Sequence, residues 1–303
     1  MRVLVTGSNG FLGRPLVARL EARGIEVEAL ALEPGPADFG PRFHAVDVRD
    51  RETVTALVAA LDPDVVVHLA ALSHVGASWQ RIDEYYAANV VGTENVVAAA
   101  AGRRLLFSSS AEVYGLVPEE EQPIRETRAP APRSPYALTK AVAERSALAA
   151  GAVVVRCFNL LGAGQAPSFA LPSFAAQLAA IEAGVAEPVL RVGNLAARRD
   201  FVHVEDAVDG LVQLVERGES GGVYNLASGE ARSIGELVEA LVRLSGVAAR
   251  REVDPERIRP VDVPLLVGEA SRLRSLGWTP CRGVEAALGE LWSEARSGAG
   301  QPA

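Results

Sequence analysis

The first 32 residues constrain the fold most, because they have the pattern of a strand, a glycine-rich turn, a helix and a second strand. A short apolar strand at residues 2–6 leads into the turn Gly7-Ser8-Asn9-Gly10-Phe11-Leu12-Gly13. An amphipathic helix at residues 14–23 and an apolar strand at residues 25–32 follow. A glycine-rich turn in this context is typical of dinucleotide binding, with the phosphates at the helix N-terminus. The pattern therefore predicts an α/β fold with a doubly wound parallel sheet.

The three glycines of this turn have separate roles in such a site. Gly7 permits the tight turn, Gly10 lets the backbone approach a pyrophosphate, and Gly13 allows close packing of helix on strand. A turn that serves packing alone is the alternative interpretation. The other residues of this region that we expect to contact the cofactor are Asn9, Phe11, Leu12 and Arg14.

The end of the second strand bears on the choice between NAD and NADP. An acidic residue often lies there and binds the adenosine ribose of NAD, but Ala31 occupies the expected position. Glu33 is nearby, at the start of a loop rich in Pro and Gly. Arg14 could meet a 2′-phosphate, although an exposed arginine at a helix start is an equally ordinary feature. The sequence favours NADP over NAD.

Length and charge exclude several classes of protein. A chain of 303 residues suits one large domain or two smaller ones. The net charge of −8 argues against nucleic-acid binding, so an anionic ligand must be met by local arginines or helix N-termini. There is no apolar run long enough to span a membrane, and the N-terminus is too short for a signal-peptide core. Two cysteines favour a cytoplasmic location, and we expect no metal site.

A single lysine stands out among the basic residues. Lysine and arginine total 30, and Lys140 is the only lysine. It follows Tyr136 by four residues, so both would lie on one face of a helix at residues 135–150. A nearby ammonium favours a phenolate and lowers the pKa of a tyrosine, which would suit acid–base chemistry. Compositional bias and an ordinary surface pair are the alternatives.

Several further segments follow predicted strands of the same sheet. Asp47-Val48-Arg49-Asp50 follows a strand at residues 42–48, and Asp50 is also placed to cap the next helix. His68-Leu69-Ala70-Ala71 ends a fully apolar strand, and we interpret His68 as structural. Ser108-Ser109-Ser110 ends another strand, where open α/β sheets bind ligands. Turn chemistry is the alternative for Ser108 and Ser109.

Taken together, these motifs resemble the extended branch of the short-chain dehydrogenase/reductase superfamily, the NAD-dependent epimerase/dehydratase family. The glycine spacing G-x-x-G-x-x-G, the Tyr-x-x-x-Lys pair and the serine segment carry the resemblance. It continues in the segments at residues 158–165, 198–206 and 257–264 and covers the chain to about Trp292. It implies a Rossmann-type domain at residues 1–160, to which 196–226 return. A smaller C-terminal α/β substrate-binding domain would then comprise 161–195 and 227–303.

The resemblance also implies roles for individual residues. Ser110, Tyr136 and Lys140 would be catalytic, with Glu112 as a further candidate. Besides the glycine turn and the Tyr136/Lys140 pair, the residues implied in cofactor binding are Asp47, which would face the adenine amino group, Val48, Leu69, Ala70, Ala71, Asn89 and Ser108. The residues implied in binding a nucleotide sugar are Ser110, Asn159, Ser168, Arg199, Arg259 and Asp262.

Within the family, the sequence is most similar to the reductases of GDP-4-keto-6-deoxy-mannose. That similarity implies an NAD(P)H-dependent reduction of a 4-keto sugar in a homodimer formed through the helices at residues 85–101 and 135–150. A 4-epimerase uses the same Ser, Tyr and Lys and stays open. So does a 4,6-dehydratase, because Glu112 occupies the position of the dehydratase glutamate, although Ala111 argues against the glucose-type enzymes. A non-catalytic dinucleotide-binding regulator is the alternative from another class.

Overall fold

The computed structural model describes residues 1–33, 42–258 and 262–299. In these residues the strands are β1 (Arg2–Thr6), β2 (Glu26–Ala31), β3 (Phe43–Ala45), β4 (Val65–His68), β5 (Arg104–Ser110), β6 (Val153–Cys157), β7 (Asn159–Leu161), β8 (Val189–Val192), β9 (Arg198–His203), β10 (Val223–Leu226), β11 (Ala231–Ser233), β12 (Arg250–Val253) and β13 (Leu265–Leu266). The helices are α1 (Gly13–Ala22), α2 (Arg51–Leu61), α3 (Ile82–Tyr86), α4 (Gly92–Ala99), α5 (Pro135–Ala149), α6 (Ala170–Glu182), α7 (Val204–Arg217), α8 (Ile234–Ser245), α9 (Ser271–Ser275) and α10 (Val284–Ala299).

Within the described residues, a seven-stranded parallel sheet has the order β3-β2-β1-β4-β5-β6-β10. The order reverses between β1 and β4, which is where doubly wound sheets bind ligands. Strand β4 is buried along its whole length, as its apolar sequence predicts for a strand covered on both faces. The predicted Rossmann-type fold is confirmed.

Side chains that alternate along the strands build a core on each face of this sheet. On one face, Val3 and Val5 of β1 belong to a cluster with Leu16 of α1 and Leu211 of α7. On the other face, Leu4 belongs to a cluster with side chains of α2, α4 and α5. The helix that carries Tyr136 and Lys140, α5, is therefore held against the sheet by a fully buried layer.

A third apolar cluster lies in the C-terminal half and joins α6, α8 and α10. Strand β9 pairs with β7, β11 and β13 in a separate sheet, and β8 pairs with β12. Helix α7 and strand β10, by contrast, pack on the seven-stranded sheet and its first helix. The exact division into two domains stays a prediction.

Residues 117–133 are rich in Pro and charged residues, a composition that predicts a weakly ordered segment, yet tertiary contacts hold them in place. Ile124 is fully buried and forms a bridge with Gly268. Gln122 donates to the carbonyls of Val117 and Leu265 and accepts from the Val267 amide. Tertiary hydrogen bonds therefore replace the local structure that Pro and charged residues disfavour. The same composition predicts weak order at residues 33–41 and 297–303. Helix α10 instead extends to Ala299, and residues 34–41 and 300–303 lie outside the described residues.

The predicted helix at residues 85–101 begins earlier and contains a π-helical turn. Helix α3 continues through Ala87–Val91 in π geometry into α4. Such turns are frequent at functional sites, because the extra residue shifts the side chains that follow. In the described part of the chain, no helix combines the length and the apolar character needed to cross a membrane.

Candidate active site

The glycine turn between β1 and α1 has the shape of a phosphate cradle. Gly7 has φ +70°, and a Cβ there would lie 2.7 Å from the Ala70 nitrogen. A Cβ at Gly13 would lie 2.2 Å from the Gly7 carbonyl oxygen, so only glycine fits at these two positions. At Gly10 the nearest atom would be 3.1 Å away, and the residue is exposed. The turn is thus closed toward the protein and open at Gly10, as a bound pyrophosphate requires.

Two polar atoms of this turn also fit a bound dinucleotide. Ser8 is fully buried, and its hydroxyl has no hydrogen-bond partner among the described residues; the same holds for Oδ1 of Asn9. Buried polar atoms are normally paired, so these two mark a site that another group completes. Nδ2 of Asn9 donates to the Glu33 carbonyl (3.0 Å) and fixes the chain after β2. Phe11 and Leu12 are half-buried beside the turn, and Arg14 is exposed.

The loop after β4 is held by a buried hydrogen-bond chain. The Thr93 hydroxyl donates to the Asn89 carbonyl (2.6 Å) and so accepts from Nε2–H of His68 (3.0 Å). Nδ1 of His68 is then the acceptor for Thr6 (2.7 Å), whose hydroxyl oxygen accepts from the Ala70 amide (3.2 Å). Burial lowers the pKa of His68 to about 3. A neutral imidazole with both nitrogens bonded supports the interpretation of His68 as structural.

Asn89 connects the cofactor side of the site to the helix that carries Tyr136. Its side chain is buried in the π-helical turn, accepts from the Leu72 amide (2.8 Å) and donates to the Leu72 carbonyl (3.0 Å). It also donates to the Thr139 hydroxyl (3.1 Å), which donates to the Tyr136 carbonyl. These contacts are with the backbone and with α5, so we interpret Asn89 as a residue that fixes geometry.

Asp47 is engaged with its neighbour. Nε and Nη2 of Arg49 donate to its carboxylate at 2.8 and 2.6 Å. The hydrogen bonds from Arg49 lower the pKa of Asp47 below its ordinary value. Asp50 caps α2 through the Thr53 amide (3.1 Å), which was the second interpretation of this segment. The carbonyls of Val48 and Arg49 accept from Asn95, so the turn is anchored to α4. The contact of Asp47 with an adenine stays a prediction.

The three serines lie within β5, so turn chemistry is the wrong interpretation of Ser108 and Ser109. Ser109 points toward α5, and its hydroxyl donates to the Glu144 carboxylate (2.6 Å). Glu144 also forms an ion pair with Arg156 (2.5 Å). Ser108 lies 3.7 Å from the Cys157 sulfur. Because the strand continues to Ser110, the period of two sends Ser109 to one face and its two neighbours to the other.

Ser110, Tyr136 and Lys140 come together at the C-terminal end of β5. Ser134 caps α5 by accepting from the Ala137 amide, and Pro135 opens the helix, which fixes Tyr136 in its first turn. The Ser110 side chain lies close enough to Tyr136 to act against the rise of the phenol's pKa. Lys140 follows one turn later, with Nζ 4.4 Å from the centre of the Phe107 ring. The helical period therefore aligns the pair, and the strand end supplies the serine.

The ionisation of this pair differs from the sequence-based expectation. Burial raises the pKa of Tyr136 above its ordinary range, and the Ser110 side chain acts in the opposite direction. Burial lowers the pKa of Lys140 to about 8, although Cys157 and Glu144 favour its charged form. The expected lowering of the Tyr136 pKa is thus wrong in direction here, because desolvation of the phenolate outweighs the contribution of Ser110, and Glu112 raises the pKa further.

Glu112 lies in the short turn that follows Ser110. Its amide donates to the Ser110 hydroxyl oxygen (3.2 Å), and its charge raises the pKa of Tyr136. Glu112 therefore lies close enough to influence the tyrosine, and its catalytic role stays a prediction. Ala111, which precedes it, is buried.

Among the other predicted substrate residues, Asn159 lies in β7, Arg199 lies in β9, and Ser168 lies shortly before α6. Nη2 of Arg199 donates to Asp262 (2.7 Å), so two of these residues form an ion pair with each other. Asn194 donates to the other oxygen of Asp262 (2.6 Å). Asn159 begins β7 and pairs in register with Phe201 of β9, two residues after Arg199 in that strand. Arg259 lies outside the described residues.

Sequence reasoning missed His74 and Asp200. His74 lies in the loop after β4, and its Nε2 is 3.0 Å from the carbonyl oxygen of Ser168, which lies shortly before α6. Asp200 is fully buried and accepts from Ser228, Gly229 and Gly268, so it fixes the strand that carries Arg199. The sequence offered two signals: His74 follows a buried strand by six residues, and Asp200 lies between an arginine and a phenylalanine.

A family model described as the NAD dependent epimerase/dehydratase family matches residues 3–227. The chain belongs to this family. A GDP-6-deoxy-D-mannose reductase of Pseudomonas aeruginosa is 34% identical, over 97% of this chain and 96% of the relative. A UDP-glucose 4-epimerase of Streptomyces lividans is 32% identical, over 96% of this chain and 95% of the relative. Membership of the epimerase/dehydratase family confirms the resemblance inferred from the motifs.

Solved structures of the epimerase/dehydratase family have the same fold over the whole chain. The structure of RMD from Pseudomonas aeruginosa complexed with NADPH has a TM-score of 0.86 and 33% identity, covering 98% of this chain and 99% of that one. A Thermus thermophilus UDP-glucose 4-epimerase in complex with NAD has a TM-score of 0.87 and 32% identity, with the same coverage. The predicted cofactor class, NAD or NADP, is confirmed.

Proposed function

We propose that the protein reduces the 4-keto group of a nucleotide-linked 4-keto-6-deoxyhexose, with GDP-4-keto-6-deoxy-mannose as the substrate and NAD(P)H as the reductant. The observation that carries this proposal is the Ser110, Tyr136 and Lys140 cluster at the sheet edge that also holds the glycine turn. The likeness to a GDP-6-deoxy-D-mannose reductase over nearly the whole chain supports the choice of sugar and nucleotide.

The residues of the site divide the work of such a reduction. When bound, the nicotinamide supplies the hydride. Ser110 hydrogen-bonds the ketone oxygen and orients the carbonyl next to Tyr136. Tyr136 gives its phenolic proton to that oxygen as negative charge develops there. Since burial keeps Tyr136 protonated, the site holds the proton in the form that a reduction needs. Lys140 stabilises the phenolate that is left and offers donors to ribose hydroxyls.

NADPH is the reductant that we favour. Strand β2 ends at the neutral Ala31, so the described residues place no acid at that strand end to bind ribose hydroxyls. Arg14 is exposed next to the turn, where a guanidinium suits a 2′-phosphate. Glu33 is held by its carbonyl contact with Asn9 and is the residue that would instead favour NAD.

Arg199 is our candidate for the substrate diphosphate. Its side chain is 5% exposed and is oriented by Asp262. A planar guanidinium matches phosphate oxygens in charge and geometry, and the ion pair with Asp262 fixes its orientation. We propose that Asp262 presents Arg199 to the substrate, and that Arg259 and Ser168 contribute from the same half.

Two other activities of the same family are supported by particular observations. An epimerase is favoured by the 32% identity with a UDP-glucose 4-epimerase, which is close to that of the reductase. A 4,6-dehydratase is favoured by Glu112, whose charge reaches Tyr136. A regulator without turnover would need a defect in the serine, tyrosine and lysine cluster, and that cluster is complete.

One experiment separates these activities. Purified protein is mixed with GDP-4-keto-6-deoxy-mannose, GDP-mannose or UDP-glucose, with and without NADPH or NADH, and the products are identified by mass spectrometry. We expect stoichiometric loss of NADPH with the keto sugar only. Interconversion of UDP-glucose without added cofactor would assign an epimerase, and a keto product from GDP-mannose would assign a dehydratase. Cofactor binding without any turnover would assign a regulator.

We also propose a homodimer formed by α3, α4 and α5. Large apolar side chains are exposed there, namely Ile82, Tyr86, Val91 and Leu138. An exposed apolar patch of this kind is typical of a protein interface. Light scattering at micromolar concentration tests it, and a monomer would contradict it. A cytoplasmic location stays a prediction from the cysteine content.

A further inference from the structure

The geometry points to His74 as a positioning residue that fastens the segment leading into α6 to the loop after β4 and, through Tyr85, to Tyr136. His74 lies in the loop after β4, on the cofactor side of the site. Ser168 and Phe169 lie directly before α6, in the half that we assign to the substrate. The imidazole is thus a direct contact between the two sides of the cleft.

The hydrogen bonds of His74 define one form of the ring. The Ala77 amide donates to Nδ1 (3.0 Å), so this nitrogen carries a lone pair. Nε2 then bears the hydrogen and donates to the Ser168 carbonyl (3.0 Å). Both ring nitrogens are used, one within the loop and one across the cleft. The neutral Nε2–H tautomer is therefore the form that makes this bridge.

Packing fixes the ring in the same orientation. The Phe169 ring meets it edge-on, with centroids 5.5 Å apart and an interplanar angle of 66°. Such T-shaped pairs are favourable beyond the area they bury. Gly76 leaves room for the ring, because a Cβ there would lie 3.0 Å from Cε1 of His74. The side chain is thus confined by the loop on one side and by Phe169 on the other.

The backbone of His74 continues the connection to the catalytic tyrosine. Its carbonyl accepts from the Tyr85 hydroxyl (2.6 Å) and from the Ser78 amide (3.3 Å). Tyr85 is 2% exposed, and its ring meets that of Tyr136 edge-on, with centroids 6.4 Å apart. The orientation of the segment before α6 is therefore set relative to the phenol that handles the proton.

This connection predicts a separation of kinetic constants. Tyr136 is also held by Ser110 and by α5, so it keeps its place when the bridge is cut. The segment before α6 loses a hydrogen bond across the cleft, and a nucleotide sugar must then order it on binding. KM for the sugar should rise while kcat changes little. This part of the inference rests on the proposed function.

Two substitutions separate the bridge from the local turn. In His74→Asn the amide oxygen replaces Nδ1 and accepts from Ala77, but nothing reaches Ser168. In His74→Gln the amide nitrogen replaces Nε2 and still donates to Ser168, whereas the Ala77 contact is lost. If His74 positions the substrate half, H74N raises KM by roughly threefold to tenfold, with kcat within about twofold, and H74Q stays near the parent protein. If it merely supports its own loop, H74Q is the more damaging change.

Hydrogen exchange gives a second measurement that needs no turnover. We would compare the full-length parent, H74N and H74Q proteins at the amides of Phe169 and Ser173, which bond to the carbonyls of Ala166 and Phe169. The bridge predicts faster exchange there in H74N than in H74Q. Equal exchange in all three proteins, or the reverse order, would overturn the inference. Failure of the parent protein to reduce any keto sugar would sink the proposed function, while the exchange order still decides the bridge.

Discussion

Replacing Lys140 with methionine should stabilise the protein near neutral pH and abolish turnover. Lys140 is 4% exposed, and burial lowers its pKa from 10.5 to about 8. That difference corresponds to roughly 3 kcal/mol of unfavourable free energy when the ammonium is buried in its charged form. Loss of the contact with the Phe107 ring offsets about 1 kcal/mol of the gain. K140M should therefore raise the free energy of unfolding by about 2 kcal/mol at pH 7.

The pH dependence follows from the direction of the shift. Between about pH 8 and 10.5 the unfolded chain holds the proton and the folded protein does not, so stability rises with pH in that window. The cost of burying the charge is complete below pH 8. The advantage of K140M should therefore be largest at pH 7 and shrink toward pH 10. No other lysine titrates in this window, because the chain has only one.

Urea unfolding of the parent protein and K140M at pH 7 and pH 10 measures this difference. K140R is the matched control, since arginine stays charged throughout: it should lack the stabilisation at pH 7 and become less stable than the parent toward pH 10, where the parent loses its buried charge. A K140M protein less stable than its parent at pH 7 would refute the reasoning. So would a stability difference of the same size at both pH values.

Three further changes test other parts of the site. Y136F should lower kcat by roughly 10²- to 10⁴-fold in a steady-state assay with the keto sugar, and full turnover would remove Tyr136 as the proton donor. G13A should destabilise the fold, because its Cβ would lie 2.2 Å from the Gly7 oxygen. G10A should fold normally and lose cofactor affinity. Equal unfolding midpoints for the two variants would contradict the assignment of this turn as a phosphate cradle. E144Q should lower the free energy of unfolding by about 3–5 kcal/mol, because it leaves the buried charge of Arg156 without its counter-ion. An unchanged urea midpoint would show that the Arg156–Glu144 pair does not stabilise the fold.

Local pattern was enough to predict much of the nucleotide-binding half. Strand β1 has the predicted bounds, and α2 begins directly after the residue predicted to cap it, because each has a clear local signal. Asp50 is such a signal: an aspartate at a helix start can satisfy an N–H group of the first turn, whatever the rest of the chain does.

Contacts between distant segments were beyond that reach. The local sequence does not indicate whether the Asp47 carboxylate binds Arg49 or an adenine, since both are compatible with residues 47–50. Residues 117–133 look unstructured locally, yet Arg156 donates to the carbonyls of Glu126 and Arg128 and holds them. His74 bonds to a residue 94 positions further along the chain.

By itself, the sequence determined the first strand, the glycine turn and the placement of Tyr136 and Lys140 on one face of a helix. These depend on spacing along the chain, and strand and helix periods convert spacing into position. Tertiary structure alone decided the ionisation of Tyr136 and Lys140, the pairing of Arg199 with Asp262 and the bridge made by His74. The physical reason is that pKa values and long-range hydrogen bonds depend on burial and on neighbours from other segments, which only the packed chain brings together.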